Sequence, residues 1–298
     1  MRKTHTLILI LIIPVVKASV VVSIPDLERL VEEIYGENVE SILPSNADPH
    51  LFSLSYRDIE RAKNTELLVL ANSELIGFEE ELKRLNNKVL DFGDYNATII
   101  SFPGVGENFH AYWLYPENAV KIASKVKQKL SELYPEKAGF YEKNLEKFVE
   151  SLNRAKNDVN KIVKNVKDYD FIAMDPHTAY AIYALSLNVK FAFPEDIPPS
   201  AVQLPKLKGE CIVVIADYQR GTKIEEIAEK IAEEMGCGIS QVDVISDISY
   251  EFRMILNAVK LSNPEFRRER EFSLLILGAI AVIEAILLVI LWRSKRKT

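Results

Sequence analysis

Four histidines occur in the 298 residues, and His5 falls in an N-terminal apolar segment, which leaves His50, His110 and His177 for the body of the chain. His50 closes the run Ser45-Asn46-Ala47-Asp48-Pro49, His177 follows Asp175-Pro176, and His110 ends Gly104-Val105-Gly106-Glu107-Asn108-Phe109. Two Asp-Pro-His tripeptides therefore stand in corresponding places of the two halves. Three neutral imidazoles with one carboxylate make the N3O tetrahedral shell that zinc favours. The carboxylate candidates are Asp247 and Asp217, each just past a run that reads as a strand. No H-E-x-x-H, Gly-rich phosphate loop, redox cysteine pair or nucleophile elbow is present, and imidazoles converging in an acidic body suggest a bound metal. A ligand imidazole must be neutral, so capture should weaken below about pH 6.

Short apolar runs rich in β-branched residues predict buried strands at 19–24, 39–43, 66–71 and 88–92, with helical spacing at 26–35, 56–63 and 73–85 between them. A second set follows: strands at 170–174, 189–193, 211–216 and 240–245, and helices at 178–185 and 223–235. Strands alternating with helices predict α/β lobes built on parallel sheets. Between them, residues 116–166 carry helical spacing and many charges, and Pro135 fits the first turn of a new helix. One helix of about 17 residues and one of about 30 are expected, the second long enough at about 1.5 Å per residue to bridge two lobes as a stiff spine. In open parallel sheets ligands bind outside the carboxyl ends of strands, so the three histidine loops can meet in one cleft between the lobes.

The ends of the chain have a different composition. Arg2 and Lys3 precede an apolar stretch at 7–16 and a small-residue cleavage site before Ser19, the pattern of an export signal. Residues 272–292 form an apolar run long enough to span a bilayer, followed by Arg293, Lys295, Arg296 and Lys297 on the expected cytoplasmic side, with Glu284 within it. The expected organisation is thus a signal peptide (1–18), an N-terminal α/β lobe (19–115), a helical spine (116–168), a C-terminal α/β lobe (169–271), a transmembrane anchor (272–292) and a cytoplasmic tail (293–298). The formal charge is −6 from 37 basic and 43 acidic residues; setting aside 1–18 and 272–298 removes seven basic and one acidic side chain, leaving 30 against 42 and a body of −12. Such a body disfavours nucleic acid and suits a cationic partner. Two cysteines, Cys211 and Cys237, stand where neighbouring parallel strands linked by one helix begin, so a disulfide is expected in an oxidising compartment.

The stretch VVVSIPDLERLVEEIYGENVESILPSNADPHLFSLSYRDIERAKNTELLVLANSELIGFEEEL resembles the start of the cluster A-I solute-binding proteins of ABC transporters, the zinc- or manganese-binding group. WLYPENAVKIASKVKQKL and FYEKNLEKFVESL are similar to that family's spine, HTAYAIYALSLNV to the start of its second lobe, and SYEFRMILN to its closing segment. The resemblance implies two lobes joined by a long helix, one divalent ion held between them, and delivery of that ion to an ABC permease in the same membrane. It implies Zn2+, with Mn2+ as the alternative, bound by His50, His110, His177 and Asp247 in a monomeric, non-enzymatic protein. His110 stands three residues before Trp113 where the family's histidine stands two before, and Asp247 precedes by one the position aligned with the family's carboxylate. A one-residue bulge re-aims a side chain across such an offset. An exported zinc hydrolase, an iron-chelate or haem carrier, and an adhesion module lacking a working site are the alternatives.

Overall fold

The computed structural model describes residues 20–266 apart from 46, 48, 50, 196, 208–209 and 246–247. His50, Asp247, the expected export signal and the apolar run 272–292 lie outside the described residues. Among the described residues no helix is long and apolar enough to cross a membrane.

The first half alternates β1 (Val20–Val22), α1 (Asp26–Tyr35), β2 (Glu40–Ser41), α2 (Tyr56–Asn64), β3 (Leu67–Val69), α3 (Gly77–Leu85), β4 (Val89–Leu90) and a single turn α4 (Phe92–Tyr95). Its four strands pair in parallel in the order β2-β1-β3-β4. A hairpin, β5 (Ile100–Phe102) and β6 (Gly106–Asn108), leads to two helices, α5 (Pro116–Leu133) and α6 (Ala138–Ile162). The second half runs β7 (Asp170–Ala173), α7 (Pro176–Tyr183), β8 (Val189–Ala192), β9 (Cys211–Ala216), α8 (Lys223–Met235), β10 (Gly238–Val242) and α9 (Tyr250–Ser262), and its sheet is parallel in the order β10-β9-β7-β8.

Local sequence explains most element limits. All six residues of β9, CIVVIA, are buried, as expected for a central parallel strand covered on both faces. Ser55 and Asp58 form a reciprocal capping box that starts α2. Pro116 opens α5 at a position where a missing N–H costs nothing, and Pro135 separates α5 from α6 through a short 3-10 turn. α6 has 25 residues rather than about 30, because residues Val163–Val166 tighten into a 3-10 turn before β7. The last strand is Gly238–Val242 rather than 240–245: Asn257 of α9 accepts from Asp243 N (2.7 Å) and donates to Asp243 O (2.9 Å), taking the place of a ladder partner.

The hairpin, the single turn α4 and α9 were not foreseen; α4 takes Phe92 from the strand expected at 88–92. The hairpin crosses to the second sheet, where Pro103 O accepts from Ala192 N (2.8 Å). Gly104 makes this approach possible: it has φ +98°, and a Cβ there would lie 2.2 Å from Ala192 O. One continuous buried cluster runs from the β1–β3 strands through Ile122, Val126, Phe148 and Val159 to Phe171 and Val214. The two sheets therefore share one core with the spine.

Cys211 and Cys237 form a disulfide, as the strand pattern predicts, because the register that pairs Gly238 with Ile212 sets the preceding residues side by side. The bond ties the amino-terminal edges of β9 and β10.

Candidate metal-binding cleft

A cavity of about 410 Å³ opens at the carboxyl ends of both sheets. Its walls come from the turns after β1 (Ile24, Asp26), β2 (Leu43, Ser45), β3 (Asn72), β7 (His177), β8 (Glu195), β9 (Tyr218) and β10 (Ile245), with His110 and Trp113 from the segment between β6 and α5. This is the position that parallel-sheet topology assigns to a ligand.

His110 is held by the hairpin. Its backbone N–H donates to Asn108 Oδ1 (3.0 Å), while the fully buried Asn108 donates to Pro176 O (2.8 Å) and accepts at its own carbonyl from Tyr180 Oη (2.9 Å). The loop carrying His110 is thereby fastened to the first turn of α7, which carries His177. Ala111 has φ +53° and is fully buried. A left-handed alanine costs roughly 1–2 kcal/mol, and such outliers gather at functional sites. Here it turns the chain between His110 and Trp113, where the sequence carries its one-residue offset.

His177 sits directly after Pro176 in the first turn of α7. The Asp175 carboxylate caps that helix through Thr178 N (2.6 Å) and accepts from Tyr218 Oη (2.5 Å) and Gln219 Nε2 (2.7 Å), so the start of α7 is locked to the β9 exit. The two imidazole rings lie 5.7 Å apart, centroid to centroid. Glu195 faces both, with its carboxylate 3.8 Å from His110 Nδ1 and 3.5 Å from His177 Nδ1. His177 Nδ1 is buried and has no hydrogen-bond partner among the described residues. A buried polar nitrogen in this condition is costly unless something else ligates it.

His110, His177 and Glu195 each offer a ligand atom, and these atoms lie within 4.8 Å of one another. Two tetrahedral zinc ligands at about 2.1 Å from the ion stand about 3.4 Å apart, so side-chain shifts of roughly 1 Å would close the trio on a cation. Sequence reasoning missed Glu195. The rule that drew attention to Asp217 and Asp247 also marks it, since Phe193-Pro194-Glu195 follows directly on β8. Asp217 is not part of the trio: its carboxylate accepts from Val244 N (3.3 Å), and burial raises it above the ordinary carboxylate range.

Beneath the cavity, Glu79 is fully buried and accepts from Ala71 N (3.1 Å) and Asn72 N (2.7 Å). Burial pushes its carboxyl up to about 7, against the opposing pull of Ser23 and those amides. The folded chain then holds this proton more tightly than the unfolded chain, so the contribution is full below the unfolded value and is lost as pH rises through 7. Between pH 5 and 7 the loss amounts to about 2 kcal/mol. Glu79→Gln should remove that part of the slope in urea unfolding measured across this range; parallel slopes for the two proteins would contradict the assignment.

The family described as "ZnuA: Zinc-uptake complex component A periplasmic" matches residues 20–258. The chain belongs to this family. Among ZnuA-family relatives, the zinc-binding lipoprotein AdcA of Streptococcus pneumoniae is 22% identical over 261 residues, covering 79% of this chain and 51% of that protein. The metal ABC transporter substrate-binding lipoprotein ScbA of Streptococcus cristatus is 23% identical over 225 residues, covering 71% of each. The chain spans about half the length of the AdcA proteins it matches. A crystal structure of ZnuA superposes with a TM-score of 0.65 at 23% identity, covering 83% of this chain and 98% of the other. A Mn-bound periplasmic metal binding protein from Candidatus Liberibacter asiaticus gives 0.64 at 16% identity, with the same coverage. At these identities the superpositions establish the ZnuA-like α/β fold with its parallel sheets.

Proposed function

We propose that this chain is the extracytoplasmic solute-binding component of a metal ABC transporter, which captures Zn2+ in the inter-lobe cleft and hands it to a permease without chemical conversion. The observation that carries the reading is the convergence of His110, His177 and Glu195 in a cavity at the carboxyl ends of both sheets, in a chain of the ZnuA family. His50 and Asp247 are proposed to complete the shell. A nitrogen-rich set favours zinc over manganese by intrinsic affinity; the Mn-bound neighbour keeps manganese as the alternative cargo. The disulfide fits an oxidising compartment.

The proposal includes export through residues 1–18 and tethering through residues 272–292, with 293–298 in the cytoplasm and the body acting as a monomer outside. Two lobes (19–115 and 169–271) joined by the spine (116–168) would then move little on loading, since they share one core. Alkaline carbonate washing should leave the protein in the membrane fraction, and truncation before residue 272 should release it; release of the full chain would contradict the anchor. For the transport role, cells lacking the chain should fail to grow when zinc is limiting and recover on added zinc. Normal growth and zinc uptake in such cells would contradict it.

A further inference from the structure

We infer that the buried Asp26–Arg253 pair is a clasp between the lobes that positions the walls of the metal cleft and sets how long a bound ion is retained. The inference rests on the function proposed above.

Asp26 lies in the first turn of α1, in the first lobe, and lines the cavity. Arg253 lies in α9, at the far end of the sequence. Both side chains are almost wholly buried, at 7% and 6% exposure, and Arg253 Nη1 donates to Asp26 Oδ1 at 3.2 Å. The same nitrogen donates to Val244 O at 3.1 Å, in the segment that leaves β10 toward Ile245 on the cavity wall. The guanidinium also lies over the ring of Tyr250, 5.5 Å from its centroid, and Tyr250 Oη donates to Leu114 O (2.5 Å), next to Trp113. One cation thus joins the β1–α1 turn, the β10 exit and α9. The first two border the cleft, through Asp26 and Ile245, and α9 backs them from behind.

Burying two charges is a poor way to gain stability alone, because apolar residues of similar volume often serve as well or better. A guanidinium does what an apolar pair cannot: the two N–H bonds of its planar Nη1 lie at a fixed angle and so set the directions of two acceptors from different elements. Asp26 and Arg253 act through Val244 and α1 rather than by touching the ion. They are positioning residues.

The test uses the full-length protein. Zinc release is followed in a chelator chase, and Co2+ is used as a spectroscopic probe of ligand geometry. The double variant Asp26→Asn/Arg253→Met keeps local charge and approximate volume while removing the clasp. It should release zinc about 10-fold faster or more, the usual scale for outer-shell partners, and shift the Co2+ absorption bands while its Tm stays close to wild type. Release and spectrum like wild type would overturn the inference. So would an effect confined to the single variants with opposite signs, slower release in Arg253→Met and faster in Asp26→Asn, which is the signature of charge alone. If the double variant does not fold, Arg253→Lys decides: it keeps the charge but lacks the fixed planar pair of N–H bonds on Nη1, and wild-type release from it would overturn the inference. Absence of zinc binding in the wild-type chain would instead sink the proposed function, and this inference with it.

Discussion

Replacing His177 by alanine is expected to weaken zinc binding by about 100-fold or more, as is His110→Ala, whereas Asp217→Ala should leave the affinity nearly unchanged. A four-ligand zinc site is worth roughly 10–16 kcal/mol, so each ligand carries on the order of 3 kcal/mol, which is about two decades in Kd. The imidazoles of His110 and His177 lie 5.7 Å apart with Glu195 against both, while Asp217 is turned to the Val244 amide. Glu195→Gln keeps shape and volume but removes the anionic oxygen, and about a tenfold loss should follow. Competition titration against a zinc-selective dye reads all four variants. Equal losses for His177→Ala and Asp217→Ala would show that the ion sits elsewhere.

The second large effect is on stability. Cys211 and Cys237 are separated by 26 positions in sequence, and closing a loop of that size restricts the unfolded chain by about 3 kcal/mol in the entropic account. Cys211→Ala/Cys237→Ala, or reduction of the native protein, should lower Tm by roughly 6–12 °C for a domain of this size. The bond lies at the amino-terminal edge of the second sheet and the cleft at the carboxyl ends, so zinc affinity should be unchanged. A Tm unmoved by reductant would contradict the expected contribution.

Much of the fold is legible in the chain because its signals are local. The β-branched runs of β1, β3 and β9 and the spacing of α1 and α8 mark themselves, and α1 (Asp26–Tyr35) and α8 (Lys223–Met235) begin and end where the pattern predicts. What was not legible depends on long-range partners. β5 and β6 are three residues each, and Gly106-Glu107-Asn108 has no apolar alternation; that strand exists because its partner and the second sheet hold it. α9 carries exposed Phe252 and Val259 alongside buried Arg253 and Asn257, a reversal of ordinary helical patterning; the buried polar pair is held by contacts to Asp26, Val244 and Asp243, all outside the helix.

The site divides in the same way. His110 and His177 were singled out because histidine is rare in this chain; His177 follows a predicted strand, and His110 ends the loop before the spine. Glu195 was passed over although it too follows a predicted strand, because one glutamate among many has no compositional signal; β8 delivers it opposite two imidazoles. The left-handed turn at Ala111, directly after His110, is a local feature that the sequence does not display.

Isothermal titration of chelator-stripped, full-length protein with Zn2+ tests the central claim most directly. About one zinc ion per chain should bind with Kd below about 1 µM, and Mn2+ should bind more weakly. Binding of neither metal at micromolar concentration would contradict it.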